Sequence, residues 1–319
     1  MEYMTRLSKL SRVSRRPALL LIAVLLAACG QPSGGAQVSP GAGAKKTIVV
    51  TYSILGALVK DLVGDTATVV VPMPNGQDPH EWEPSAKDIA TIMGADLIVQ
   101  NGLGLEGGME KTLEQARQAG VKRFTASEHI TVRKVGAGEG IPTGDPDQAI
   151  GAEDPHLWMD PLSMKAVVVA LATQLKADLG IDRSAQAAAL AGQLDQLNAE
   201  IAGKVAGVPE ANRKLVTGHE SLGYFAQRYG FKLVGALIPS ITSQAEVSAA
   251  DLAALKQQIG ASGVRAVFTE LGTPAAVATT IGAETGAKVV EVTTHTLPAD
   301  GSYFTFMRNL ADTVVGALK

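Results

Sequence analysis

Short apolar, β-branched runs alternate with helix-patterned stretches along most of this 319-residue chain, and that alternation restricts its fold more than any other feature. Thr47–Tyr52 reads Thr-Ile-Val-Val-Thr-Tyr, the pattern of a strand buried on both faces of a parallel sheet. Further strands are expected over Thr66–Val71, Leu97–Gln100 and Arg123–Thr125, with helices over Gly56–Val63, Pro84–Met93 and Glu110–Ala119 between them. Pro84 suits the first turn of its helix, where no backbone N–H is needed. After Pro209 the alternation resumes. Strands are expected over Lys214–Thr217, Lys232–Leu237, Ala266–Thr269 and Lys288–Val292, and helices over Glu220–Tyr229, Ala249–Ile259, Pro274–Thr285 and Tyr303–Leu318. Strand–helix alternation of this kind gives parallel sheets covered by helices on both faces.

Between the two strand-rich regions the pattern is helical. Asp160 followed by Pro161 is a strong helix start, and a break falls near Gly180-Ile181-Asp182. The second piece, Ser184–Ala206, carries Leu190, Leu194, Leu197 and Ile201 at helical spacing. The fold class expected is α/β: two lobes, each with a parallel sheet flanked by helices, joined by a single long helix. In boundaries, the first lobe is 47–182, the linking helix 183–208 and the second lobe 209–319.

The chain begins differently. Arg12, Arg15 and Arg16 precede an apolar run of 11 residues, Ala18–Ala28, which is too short to span a bilayer as a helix. A basic stretch, a short apolar core and small residues describe a secretory signal over 1–28. Leu26-Ala27-Ala28-Cys29 has the form of a lipobox, so Cys29 is the expected lipid anchor and residues 29–46, rich in Gly, Pro, Ser and Ala, a flexible tether. Cys29 is the single cysteine, which leaves the mature domain without an intramolecular disulfide or a thiolate metal ligand. The formal net charge of −3, with Lys and Arg scattered beyond the leader, gives no nucleic-acid footprint.

Chemistry is concentrated in a repeated motif. Asp78-Pro79-His80-Glu81-Trp82 and Asp154-Pro155-His156-Leu157-Trp158 use both tryptophans and two of the five histidines. Proline fixes the backbone just before each histidine, and tryptophan offers a rigid wall beside it. A histidine held in that way suits a metal ligand. His219 follows the Lys214–Thr217 strand and His295 the Lys288–Val292 strand, so both lie where loops converge beyond the carboxyl ends of parallel strands. Successive gaps of 76, 63 and 76 positions separate His80, His156, His219 and His295. Those gaps rule out a zinc finger or a ligand pair on one helix. They fit one site assembled from distant loops, two ligands from each lobe. Each histidine taken singly is also explained as a polar residue at a helix start; the repeated motif is what favours metal for His80 and His156. Glu270, at the end of the Ala266–Thr269 strand, is an alternative fourth ligand. Asp78 and Asp154 are candidates to fix a ligand tautomer, Asp160 is assigned to helix capping, and His129 is read as a surface residue.

These residues resemble the metal-binding lipoproteins of bacterial zinc and manganese ABC transporters, the cluster A-I solute-binding proteins. The resemblance is carried by 75–84 (Asn-Gly-Gln-Asp-Pro-His-Glu-Trp-Glu-Pro), 101–106 (Asn-Gly-Leu-Gly-Leu-Glu), 154–161, 218–225 and Met307-Arg308-Asn309-Leu310, and it covers Thr47 to Lys319. It implies two lobes bridged by one long helix with the metal between them. The family's first three ligands fall on His80, His156 and His219. Its fourth position is commonly acidic, whereas this chain has His295 there, which leaves His295, Glu270 or a water for that place. The acidic stretch Asp145, Asp147, Glu153 and Asp154 has no histidine, unlike the metal-capturing loop of many zinc members. Imidazole donors favour Zn²⁺ ahead of Mn²⁺, which prefers carboxylates and water. The function implied is extracytoplasmic capture of Zn²⁺ and delivery to an ABC permease and its ATPase, by a monomer held to the membrane through its lipid. No catalysis is expected; the alternatives are a metal-dependent extracellular hydrolase, with Glu220 or Glu270 as base, or an adhesin using the same histidines.

Overall fold

The computed structural model describes residues 45–140 and 149–319; the expected leader, Cys29, most of the tether, Asp145 and Asp147 lie outside the described residues. In the first half, β1 (Lys46–Val50), β2 (Ala67–Val70), β3 (Leu97–Gln100) and β4 (Lys122–Thr125) form one parallel sheet of order β2-β1-β3-β4. Ile48 lies opposite Val69 on one side and Leu97 on the other. Its neighbours Val49 and Val50 are as fully buried, as an apolar run without alternation requires. Helices α1 (Ser53–Val63), α2 (Ala86–Met93) and α3 (Glu110–Gln118) connect these strands.

α2 starts two residues later than its proline suggests. Ser85 is the N-cap, its hydroxyl accepting from the Asp88 N–H at 3.3 Å while Asp88 accepts the Ser85 N–H at 3.0 Å. This reciprocal capping box overrides Pro84, which ends up ahead of the cap.

Then come α4 (Pro161–Leu179), capped by Asp160 as expected, and α5 (Ser184–Ala206). Gly180, in the left-handed conformation at φ 69°, ends α4. One face of α5 buries Leu190, Leu194, Leu197 and Ile201, and the helix packs on α4, on α1 of the first half and on the last helix, α9 (Tyr303–Leu318).

In the second half, β5 (Lys214–Thr217) pairs in parallel with β6 (Lys232–Ala236), and β7 (Ala266–Thr269) with β8 (Lys288–Glu291). β5 lies beside β7, so the expected sheet is two parallel pairs set side by side. The intervening helices are α6 (Gly223–Tyr229), α7 (Ala249–Ser262) and α8 (Ala275–Thr285). α6 does not begin at Glu220. Residues 219–222 are held in a turn instead, with the Glu220 N–H on the Ser240 carbonyl at 2.9 Å and the Ser221 N–H on His219 at 2.9 Å. A large apolar core runs from β1 and α1 through α4, α5 and α9, and a smaller one, including Val216, Leu255, Val267 and Ile281, fills the second half between strands and helices. Among the described residues no helix is long and apolar enough to cross a membrane.

Candidate metal centre

Loops beyond the carboxyl ends of the strands deliver four histidines to one point. In each Asp-Pro-His copy the aspartate accepts the backbone N–H of the histidine two residues on, Asp78 from His80 and Asp154 from His156, both at 2.9 Å. This local Asx turn fixes the backbone from which each ring projects. His219 follows β5, and its N–H donates to Glu270 at the end of β7 at 2.9 Å. His295 follows β8 and stands beside the Thr294 hydroxyl, Nδ1 to Oγ1 3.0 Å.

The ring nitrogens converge. His80 Nε2 lies 3.3 Å from His156 Nε2, and His156 Nε2 lies 3.1 Å from His219 Nε2. One ligand atom from each of the four, His295 included, falls within 4.8 Å of the others, and all four residues are buried. A tetrahedron of nitrogens around Zn²⁺ at ~2.0–2.1 Å has edges of roughly 3.3–3.4 Å. The two close N–N distances are therefore near those of a four-coordinate zinc shell.

The outer nitrogen of three rings is set by its surroundings. Asp154 Oδ1 accepts from His156 Nδ1 at 2.8 Å, which leaves the lone pair on Nε2. The Thr294 hydroxyl gives its one proton to Glu270 Oε2, so toward His295 Nδ1 it must accept. His295 Nε2 is buried with no hydrogen-bond partner among the described residues, as suits a free lone pair. Glu270 Oε1 stands 2.9 Å from His219 Nδ1, but the ring N–H does not point along that line, so the contact is an electrostatic pairing rather than a formed hydrogen bond.

Charge separates the four. Burial first, then the other three imidazoles, holds His80 well below the ordinary histidine range. Burial likewise lowers His156, against the pull of Asp154, and lowers His295, with the His219 charge adding to it. His219 goes the other way: burial pushes down, but the Glu270 carboxylate overtakes it and the pKa rises. Glu270 answers in kind, its burial outweighed by His219 so that its pKa falls to about 2. The two carboxylates differ in their neutralisation. Asp154 is paired with the Arg133 guanidinium at 3.0 Å, whereas Glu270 is satisfied by the hydroxyls of Ser221 and Thr294. Three rings are thus neutral and available near pH 7, and one holds a proton more firmly.

Several sequence expectations are refined here. Glu270 lies on the outer side of His219 with both oxygens engaged, and Glu220, also buried, has its carboxyl raised to about 7 by burial. Asp154 meets its histidine ring as expected. Asp78 does not: it holds only the His80 backbone, and its Oδ2 is buried without a hydrogen bond among the described residues. The tryptophans are unequal as well. Trp158 forms the wall, with its ring 5.3 Å from His156 and 5.6 Å from His295, and its Nε1 donates to the Thr294 carbonyl at 2.9 Å. Trp82 is half-buried and packs on the apolar core instead. His129 is exposed, as read from the sequence, but sits in a 3-10 turn stacked on Phe124 at 4.5 Å.

Two supporting groups are not among the site residues expected from the sequence. Asn101 donates to the Pro155 carbonyl at 2.8 Å and accepts from Tyr52, while Glu106 takes the Asn101 N–H and the Thr51 hydroxyl. Together they pin the second Asp-Pro-His loop to the ends of β1 and β3. Arg133 is the other. The motif at 101–106 marks the first pair only by resemblance, and nothing near Arg133 marks it at all.

Residues 48–317 match the family model described as ZnuA, zinc-uptake complex component A, periplasmic. The chain is 27% identical over 313 residues to the manganese-binding lipoprotein MntA of Halalkalibacterium halodurans, covering 94% of this chain and 96% of that protein. It is 30% identical over 273 residues to the zinc-binding lipoprotein AdcA of Streptococcus pneumoniae, covering 84% of this chain but 52% of that longer protein. Among solved structures it resembles the periplasmic zinc binding protein TroA from Treponema pallidum, with a TM-score of 0.75 and 26% identity over 86% of this chain and 99% of that one. With four histidines gathered at the strand ends of such a fold, the chain belongs to the zinc-uptake complex component A (ZnuA) family.

Proposed function

We propose that this protein captures Zn²⁺ outside the cytoplasmic membrane and hands it to an ABC permease driven by its ATPase. His80, His156, His219 and His295 are the ligands in this reading, and Glu270 orients His219 from behind. The observation that carries it is the convergence of four buried imidazole nitrogens at separations close to those of a zinc tetrahedron. Relatives are named for manganese as well as for zinc, and the donor set favours zinc here. Mn²⁺ prefers carboxylate and water oxygens, whereas both oxygens of Glu270 are already committed to other donors.

In this reading residues 47–182 and 209–319 are lobes that move about α5, and separation of the two ligand pairs releases the ion. The protein acts as a monomer, held by a lipid on Cys29 at the end of the 29–46 tether. Zn²⁺ and Mn²⁺ titrations of the purified protein test the metal assignment; tighter binding of Mn²⁺ would remove it.

A further inference from the structure

Arg133 lies outside every motif of the chain, yet its side chain is buried, with 6% exposed. One arm of its guanidinium, Nη1, is 3.0 Å from Asp154 Oδ2, on the carboxylate whose other oxygen takes the His156 ring. The second arm, Nη2, holds Glu139, whose Oε2 also accepts the Gly136 N–H at 3.1 Å. The main chain of Arg133 adds two more ties: its carbonyl accepts from the Asp154 N–H at 3.0 Å, and its N–H donates to the Tyr224 hydroxyl at 2.9 Å.

Tyr224 belongs to α6, just after the turn that carries His219. The fit against that helix is close. A Cβ on Gly223 would stand 2.3 Å from Asp154 Oδ2 and 2.5 Å from Arg133 Nη1, so only glycine lets α6 rest on the ion pair. The guanidinium therefore touches three things at once: the carboxylate behind His156, the base of the loop after 136, and the helix that follows His219.

We propose that Arg133 is a positioning residue for metal capture, which fixes Asp154, and through it the His156 ring, against the helix that follows His219. This rests on the four histidines being the metal site. A planar fork with two carboxylate partners has few orientations open to it, so it hands that rigidity to Asp154. Metal affinity then depends on Arg133 although it is not one of the four ligands, and Glu139 acts on the site through the same guanidinium.

The test is a cycle on the full-length protein in detergent, with Zn²⁺ affinity measured by chelator competition and apo thermal stability in parallel. Zn²⁺ binding by the unaltered protein is established first, so failure of the metal assignment shows before any variant is compared. Arg133→Met is expected to weaken Zn²⁺ binding by about 10- to 100-fold, the range for outer partners of ligand histidines, and Arg133→Lys by less. Added to Asp154→Asn, neither should cause further loss, because the effect passes through that carboxylate. An Arg133→Met affinity within twofold of the unaltered protein overturns the proposal, as does a loss that persists in full on the Asp154→Asn background. Lower apo stability with unchanged affinity assigns Arg133 to folding alone. If Arg133→Met does not fold, the Arg133→Lys cycle decides by the same criteria.

Discussion

Replacing Glu270 by Gln separates a carboxylate that tunes the site from one that binds the metal. The two side chains have nearly the same shape, so the change removes charge and leaves the cavity filled. In the native protein Glu270 is buried, 2.9 Å from His219 Nδ1, and accepts from the His219 N–H and the hydroxyls of Ser221 and Thr294. At an effective dielectric of ~20, a carboxylate attracts a dication roughly 6 Å away by ~5 kcal/mol, an upper limit because the surroundings relax. Losses on removing such outer partners are ~10- to 100-fold in affinity, or ~1.4–2.7 kcal/mol. Glu270→Gln is therefore expected to weaken Zn²⁺ binding at pH 7.5 by that factor in a chelator-competition titration. A second signature follows from proton competition. Glu270 raises the His219 pKa, so its loss frees His219 of its proton at pH 6.0, and the gap between variant and native protein should narrow there. Unchanged affinity at pH 7.5 would refute the tuning role. A loss beyond ~10³-fold would point to Glu270 as a direct ligand.

Further expectations rest on the same geometry. At pH 6.0, four ordinary histidines would hold about three protons between them, but here only His219 is shifted upward, so Zn²⁺ binding should release about one. Calorimetry in buffers of different ionisation enthalpy counts that number, and a release of three would contradict the reading. Stability of the metal-free protein should depend on pH with a definite sign. His80, His156 and His295 have lowered folded pKa values, so their contribution is present above ~6.5 and is lost as pH falls below it, by up to ~1.4 kcal/mol per pH unit each. His219, raised, adds stability as pH falls through its folded pKa toward ~6.5 and keeps it in full below that, and Glu270 adds a loss only as pH falls from ~4.5 toward 2. Denaturant midpoints should fall from pH ~6.5 to ~5, where the His219 contribution is constant, and a midpoint that rises over that range would refute the reading. His295→Ala should cost ~10²-fold or more in Zn²⁺ affinity, since ~10–16 kcal/mol for a four-ligand site implies a few kcal/mol per donor. A variant that binds as well as the native protein would remove His295 from the ligand set. Gly218→Ala would place a methyl 2.1 Å from Thr273 Oγ1 and 2.7 Å from Glu270 Cγ, and should lower stability by ~1–3 kcal/mol together with Zn²⁺ affinity.

Much of this protein is legible without coordinates because the relevant physics is local. A β-branched run such as Thr-Ile-Val-Val has little choice but a buried strand, and Asp160-Pro161 starts a helix from its own side chains. Asp78 and Asp154 turn back onto the N–H two residues on, so the backbone at His80 and His156 is set within each pentapeptide. Helix starts were less legible where caps compete. Ser85 with Asp88 outranks Pro84, and the turn at 219–222 delays α6 because Ser240 and Glu270, distant in sequence, take its polar groups.

By itself, the sequence marked His80, His156, His219 and His295 as side chains suited to a cation, with Glu270 as the alternative for the fourth place, since residue type and the position of strands and loops are written in the chain. Tertiary structure alone decided how those four differ. Asp78 and Asp154 occupy identical motifs, yet only Asp154 reaches its ring and only Trp158 walls the site, because those contacts depend on what packs against each loop. The pairing of His219 with Glu270, and of Asp154 with Arg133, spans 51 and 21 positions, and the Glu270 charge is what lets the His219 ring keep a proton. Electrostatic strength in a buried site depends on distance through space, and local sequence carries no measure of that distance.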